Sequence, residues 1–127
     1  MMLSPIMSRR EKEMINKNRF SILLEQLLNT AEIKQYVLAK HLNYDTSYIS
    51  KWLTGRMLPG EKGVDDVLHS ISDCIIENGS QEGLQLIAAG YQIQDISELG
   101  SAIYDQLVIE YNYVMSISNL TGYDVAP

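Results

Sequence analysis

The sequence predicts an all-α protein, with four to five short helices in a first domain and a helical extension after it. Three observations carry this. Apolar residues recur at helical spacing, as in Phe20, Leu23, Leu24, Leu27 and Leu28, the i, i+3, i+4, i+7, i+8 pattern of an amphipathic helix. Residues that cap or stop helices separate the periodic stretches. No segment alternates polar and apolar side chains as a half-buried strand would, and there is no repeat or low-complexity tract.

The first helix falls at about 17–29 and ends near Asn29-Thr30. The second runs from about Ile33 to Leu42, with Val37, Leu38 and Leu42 inward. Asn43 follows, a residue that tolerates the left-handed conformation a tight turn needs. Asp45, Thr46 and Ser47 are all capable N-caps for a third helix, which reaches about Leu53 and stops at Gly55. Pro59-Gly60 marks a loop. A fourth helix at about 64–77 carries Val64, Val67, Leu68, Ile71, Cys74 and Ile75 on one stripe, and Asn78-Gly79-Ser80 ends it. The stretch over 81–91 reads as a poor short helix, because Gly83 and Gly90 weaken it. A longer helix is predicted over about 96–118. Its polar stripe is Glu98, Asp105, Asn112, Ser116 and Asn119; its apolar face is wide, with Ile96, Leu99, Ile103, Tyr104, Leu107, Val108, Tyr111, Val114 and Met115. Residues 1–16 read as a flexible leader, in which Met1, Met2, Met7 and Met14 leave the start codon open.

The chain has 127 residues, 46% of them hydrophobic, which suits one domain or a small domain with an appendage. Cys74 is the one cysteine, so no internal disulfide forms, and a reducing cytoplasm is the expected setting. No uncharged apolar run approaches the roughly 18 residues of a membrane span, and the N-terminus lacks the apolar segment of a secretory signal. Net charge is −6, but its distribution matters more than its sum. Residues 1–62 hold all ten Lys and Arg and net +4; residues 63–127 hold ten acids and no base. Such asymmetry points to divided labour. The basic half suits a polyanion and the acidic half does not. The plainer reading is chance plus solubility.

Residues 44–59, YDTSYISKWLTGRMLP, carry the most information. Ile49 and Trp52 form an apolar wedge, and around them stand Thr46, Ser47, Ser50 and Lys51. Two short helices joined by a three- or four-residue turn make a helix-turn-helix unit. In that unit the first helix crosses the DNA backbone and the second enters the major groove. Close crossing needs a small residue in the first helix, and Ala39 supplies it. The second needs apolar anchors inside and short polar or basic groups outside. Thr46, Ser47, Ser50 and Lys51 are therefore the candidate base-contacting residues, with Ile49 and Trp52 as core.

This segment resembles the lambda-repressor-like helix-turn-helix family of the Cro or XRE type. Gln35 matches the polar residue that often opens the family's second helix, Leu38-Ala39 its Leu-Ala pair, and Leu42 the apolar residue before the turn. Ile49-Ser50 and Trp52 match anchor positions of its third helix, and Gly55 with Pro59 the Gly and Pro that follow. The likeness covers about residues 17–78, with 80–90 as a fifth helix. Asn43 stands where the family usually has Gly, Leu53 where it often has Glu, and Asp45 adds a negative charge that can cap the third helix. The resemblance implies that Thr46, Ser47 and Lys51 face bases and that Gln35 donates to a phosphate. Lys51 suits guanine O6 or N7. Ser50 and Tyr48 flank the face, with phosphate or a thymine methyl in reach. Lys40 and Arg56 would steady the backbone. Plainer roles stand beside these: capping for Thr46 and Ser47, packing for Tyr48, a solvated surface lysine for Lys40. The function implied is a sequence-specific transcriptional regulator, a repressor of a bacterial or phage promoter, with double-stranded DNA as partner.

No enzyme is expected. His41, His69 and Cys74 have no metal-ligand spacing, the GEKG stretch lacks the features of a P-loop, and no cofactor is implied. The family commonly dimerises to place two reading helices in successive grooves. The expected domain plan is therefore a leader over 1–16, a DNA-binding domain over 17–79, and an acidic helical extension over 80–127 that holds a homodimer through 96–118. Two alternatives remain for that extension: it packs on the first domain, or it begins a sensor domain. The rival function is a protein-interaction module, an antitoxin or antirepressor whose acidic half captures a basic partner.

Overall fold

The computed structural model describes residues 17–121; the leader and the last six residues lie outside the described residues. Within them the protein is all-helical, with no strand. The helices are α1 (Arg19–Ala31), α2 (Gln35–Leu42), α3 (Thr46–Leu53), α4 (Val64–Asn78), α5 (Gln81–Gly90) and α6 (Leu99–Thr121), the last preceded by a 3-10 turn at Ile96–Glu98.

Several boundaries have a local cause. Asn18 opens α1 with a reciprocal capping box: its side chain accepts from the Ser21 N–H, and the Ser21 Oγ accepts from the Asn18 N–H, both at 2.8 Å. This satisfies donors the helix itself leaves unpaired. The α1 helix continues two residues past the expected stop at Asn29. It ends where Glu32 takes the left-handed conformation, φ 61°, and its N–H bonds the Asn29 carbonyl. Asn43 ends α2 in the same way, at φ 61°. Gly63, at φ 81°, opens α4.

The α5 helix forms despite its glycines, and Gly83 explains why. A Cβ there would clash with the Thr30 carbonyl oxygen and lie 2.8 Å from the Ala31 Cα. Only a glycine lets α5 abut the C-terminal end of α1, where the Ser80 N–H also donates to the Ala31 carbonyl at 2.9 Å. Ser80 caps α5 through the Gly83 N–H.

One core joins all of this. Phe20, Leu24 and Leu28 of α1, Leu68, Ile71 and Ile75 of α4, and Leu99, Ile103, Leu107 and Tyr111 of α6 are buried in a single cluster. The core thus crosses the boundary drawn at residue 79: α6 packs on α1 and α4, and α5 packs on α1. The expected inward face of the last helix is largely correct, apart from Ile96, which sits half exposed in the 3-10 turn. Burying each large apolar side chain is worth roughly 1.5–3 kcal/mol, so α6 is a structural member of the domain. Polar ties fix its register. The Ser72 Oγ donates to the Gly100 carbonyl at 2.6 Å, and Arg19 of α1 makes a two-pronged pair with Glu110 of α6 at 2.5 and 3.1 Å.

Candidate nucleic-acid interface

Three residues, 43–45, connect α2 to α3. The left-handed Asn43 reverses the chain, and the Asn43 and Tyr44 N–H groups close on the Lys40 and Ala39 carbonyls at 3.1 and 2.9 Å. Ala39 is buried, 2% exposed, in a helix that packs on both α3 and α4. Asp45 then caps α3, its Oδ1 accepting from the Ser47 N–H at 2.9 Å. That bond, first from the Ser47 backbone and then from its side chain, holds the Asp45 carboxyl below its ordinary range.

At about 100° per residue, Ile49, Trp52 and Leu53 fall together on one side of α3, and all three are buried. Leu53 is thus a third anchor. Thr46, Ser50, Ser47 and Lys51 occupy a contiguous arc of roughly 140° on the other side, and all four are exposed. Tyr48 lies between the two arcs. It is 43% exposed, and its ring leans on Tyr44 at 5.6 Å, while Tyr44 meets Trp52 edge-on at 5.7 Å. Tyr48 is therefore both a packing and a surface residue. Thr54 closes the helix, its Oγ1 donating to the Ser50 carbonyl at 3.0 Å.

Gln35 is the first residue of α2 and is exposed, as is Arg56 beyond α3. Lys40 is exposed too, but it shares a shallow surface with Tyr36, His41 and Asn78, toward the end of α4. Two basic residues escaped the sequence reading: Lys34, which precedes α2, and Lys62, which lines a cleft with Tyr48. Lys34 could have been found from its place directly before α2; Lys62 stands well past the turn in sequence and carries no such local signal. Lys17 and Arg19 are engaged by Glu25 and Glu110. Among the described residues, Lys34, Lys40, Lys51, Arg56 and Lys62 enter no ion pair. The cations left for a partner thus cluster in sequence around α2 and α3.

Elsewhere the chemistry is sparse. Cys74 is buried, and desolvation pushes its thiol up, which makes it a poor nucleophile. Among the described residues no group of three or more His, Cys, Asp or Glu is placed to hold a metal ion. No helix among them is long and apolar enough to cross a membrane. The chain matches no protein-family model, no curated protein and no solved structure.

Proposed function

We propose that the protein is a sequence-specific DNA-binding transcriptional regulator, a repressor built on a lambda-repressor-like arrangement of helices, and that α2 and α3 are its helix-turn-helix. One observation carries this reading: α3 buries Ile49, Trp52 and Leu53 and exposes Thr46, Ser47, Ser50 and Lys51 on one continuous arc. A surface of small hydroxyls and one lysine is poor in the aromatic anchors that protein interfaces favour and well suited to base edges. In this reading α3 lies in the major groove with Lys51 on guanine. Gln35, Tyr48, Arg56 and Lys40 hold the phosphates, Lys40 from the flank nearest α4. The acidic residues after Gly63 turn that end of the molecule away from DNA by repulsion.

A homodimer completes the reading, since one reading helix covers few base pairs. Because the inner face of α6 is spent on α1 and α4, the dimer contact belongs to what α6 leaves exposed, around Ile109 and Tyr113. Selection of bound duplexes from a random pool at about 100–150 mM salt tests the function. A recurring motif whose preference is relaxed at one position by Lys51→Ala is the expected result. Recovery of no motif would overturn sequence-specific reading.

A further inference from the structure

The α4 helix ends in Asn78-Gly79, the one Asn-Gly pair of the chain. Such a pair is chemically labile. The next backbone nitrogen can close a ring on the asparagine side-chain carbonyl carbon, and a following glycine, with no Cβ, hinders that approach least. Here the fold itself calls for the glycine. A Cβ at position 79 would lie 2.7 Å from the Ile75 carbonyl oxygen and 2.8 Å from a Leu84 methyl carbon. Asn78 is exposed, and its Nδ2 donates to the Cys74 carbonyl at 3.0 Å and to the Cys74 Sγ at 3.6 Å. The Gly79 N–H donates to the Ile75 carbonyl at 2.8 Å, and the Ser80 N–H to the Ala31 carbonyl at 2.9 Å. The two groups that would react, the Asn78 amide and the Gly79 nitrogen, are thus each held by another partner.

We propose that Asn78-Gly79 is a self-modification site, masked by the fold and uncovered when the joint between α4 and α5 opens. In the open joint the Gly79 nitrogen gives its proton to hydroxide and attacks the Asn78 Cγ. The N–Cγ bond forms, the Cγ–Nδ2 bond breaks, and the nitrogen leaves as ammonia with a proton from water. Water then opens the cyclic imide at either carbonyl, which leaves aspartate or isoaspartate at position 78. Neither product has the Nδ2 donor for the Cys74 carbonyl. Both place a negative charge at the C-terminal end of α4, where the helix dipole disfavours it, next to Glu77. Isoaspartate also adds one backbone carbon ahead of Gly79, which moves the Gly79 and Ser80 N–H groups off their acceptors. A molecule that has opened long enough to react is thereby marked and does not fully reclose. The site does not depend on DNA reading.

The test ages the full-length protein at mildly alkaline pH in native buffer and in concentrated urea, and locates isoaspartate by peptide mapping with mass spectrometry. Position 78 should react in urea, and roughly tenfold or more slowly in native buffer, as protection by a structural opening requires. Hydrogen exchange on the natively aged protein should show Gly79 and Ser80 losing protection in the modified fraction. Asn78→Gln keeps a side-chain amide but must close a larger, slower-forming ring, and it should age without that loss. Equal rates in the two solvents, or no reaction in urea, overturn the proposal. So does full protection at Gly79 and Ser80 in the modified fraction, or their loss of protection in aged Asn78→Gln.

Discussion

The Tyr111 hydroxyl donates to the Pro59 carbonyl at 2.7 Å, which ties α6 to the loop that leaves α3. Both residues are buried, and the Phe20 ring meets Tyr111 edge-on at 5.9 Å. The C-terminal helix thereby braces the segment that follows α3. Tyr111→Phe keeps the ring packing and strands the Pro59 carbonyl, so a loss of about 1–3 kcal/mol is expected in denaturant unfolding. The pH dependence follows from the burial of the same hydroxyl. Burial, with a smaller effect of Glu61, pushes the Tyr111 hydroxyl up from 10 to about 12. A folded pKa above the unfolded one favours the neutral form in the native state. That stability is complete below about pH 10 and is lost as pH rises through about 12. Unfolding midpoints across this window should fall for the parent protein and flatten for Tyr111→Phe.

The two glycines of α5 are expected to respond in opposite directions. Gly83→Ala drives a methyl group into the Thr30 carbonyl and the Ala31 Cα, backbone atoms that cannot move aside. A cost of about 1–3 kcal/mol is expected, as for other overpacked sites. At Gly90 an added Cβ meets nothing within 4 Å, and Gly90→Ala should stabilise by about 0.4–1 kcal/mol through the unfolded chain. Thermal melts of the pair check both signs.

These two cases also show what a sequence conceals. Asn43, Ile49, Trp52 and Gly55 were legible because their roles are settled within one turn and one helix. The same holds for the Asp45 cap and for helix boundaries that moved by only a few residues. Gly83 read as a defect, since the reason for it is the end of α1, some 50 residues earlier. The Tyr111–Pro59 bond spans 52 positions and the Arg19–Glu110 pair spans 91, and no periodicity encodes either. The apolar face of α6 was visible, but whether it met its own chain or a second one was a question of tertiary packing. Lys62 was passed over because the cleft it lines lies between α3 and a loop.

The proposed dimer is tested at the surface of α6. Removing everything after Asn78 would strip Leu99, Ile103 and Leu107 from the core, so truncation would report on folding. Ile109 is 54% exposed, beside Glu110, and Ile22 of α1 is 42% exposed, three residues after Arg19. Ile109→Lys should leave the melting temperature within a degree or two, as surface changes usually do, and, if the proposed dimer forms through this face, give a monomer by light scattering where the parent protein gives a dimer. A dimer that persists in Ile109→Lys would remove this face as the contact. Tyr113 is a poorer choice, because the Arg19 guanidinium lies 4.0 Å from its ring centre.

Asp45 sets capping against recognition, and one substitution separates the two. Its carboxylate accepts the Ser47 N–H at the start of α3, but in the proposed complex it also stands near phosphates. Asn caps a helix about as well as Asp and carries no charge. Asp45→Asn should therefore keep the helix content and raise DNA affinity several-fold, with the gain shrinking as salt rises. The pH response has a defined sign. The folded carboxyl titrates below its ordinary value, so its contribution to stability is present above about pH 4 and is lost as pH falls through the lowered folded value. Acid unfolding of Asp45→Asn should lack that component. Binding measured by fluorescence anisotropy at two salt concentrations, beside acid melts of the same variant, checks both halves. An unchanged DNA affinity in Asp45→Asn would mean that α3 does not approach a phosphate at its N-terminus.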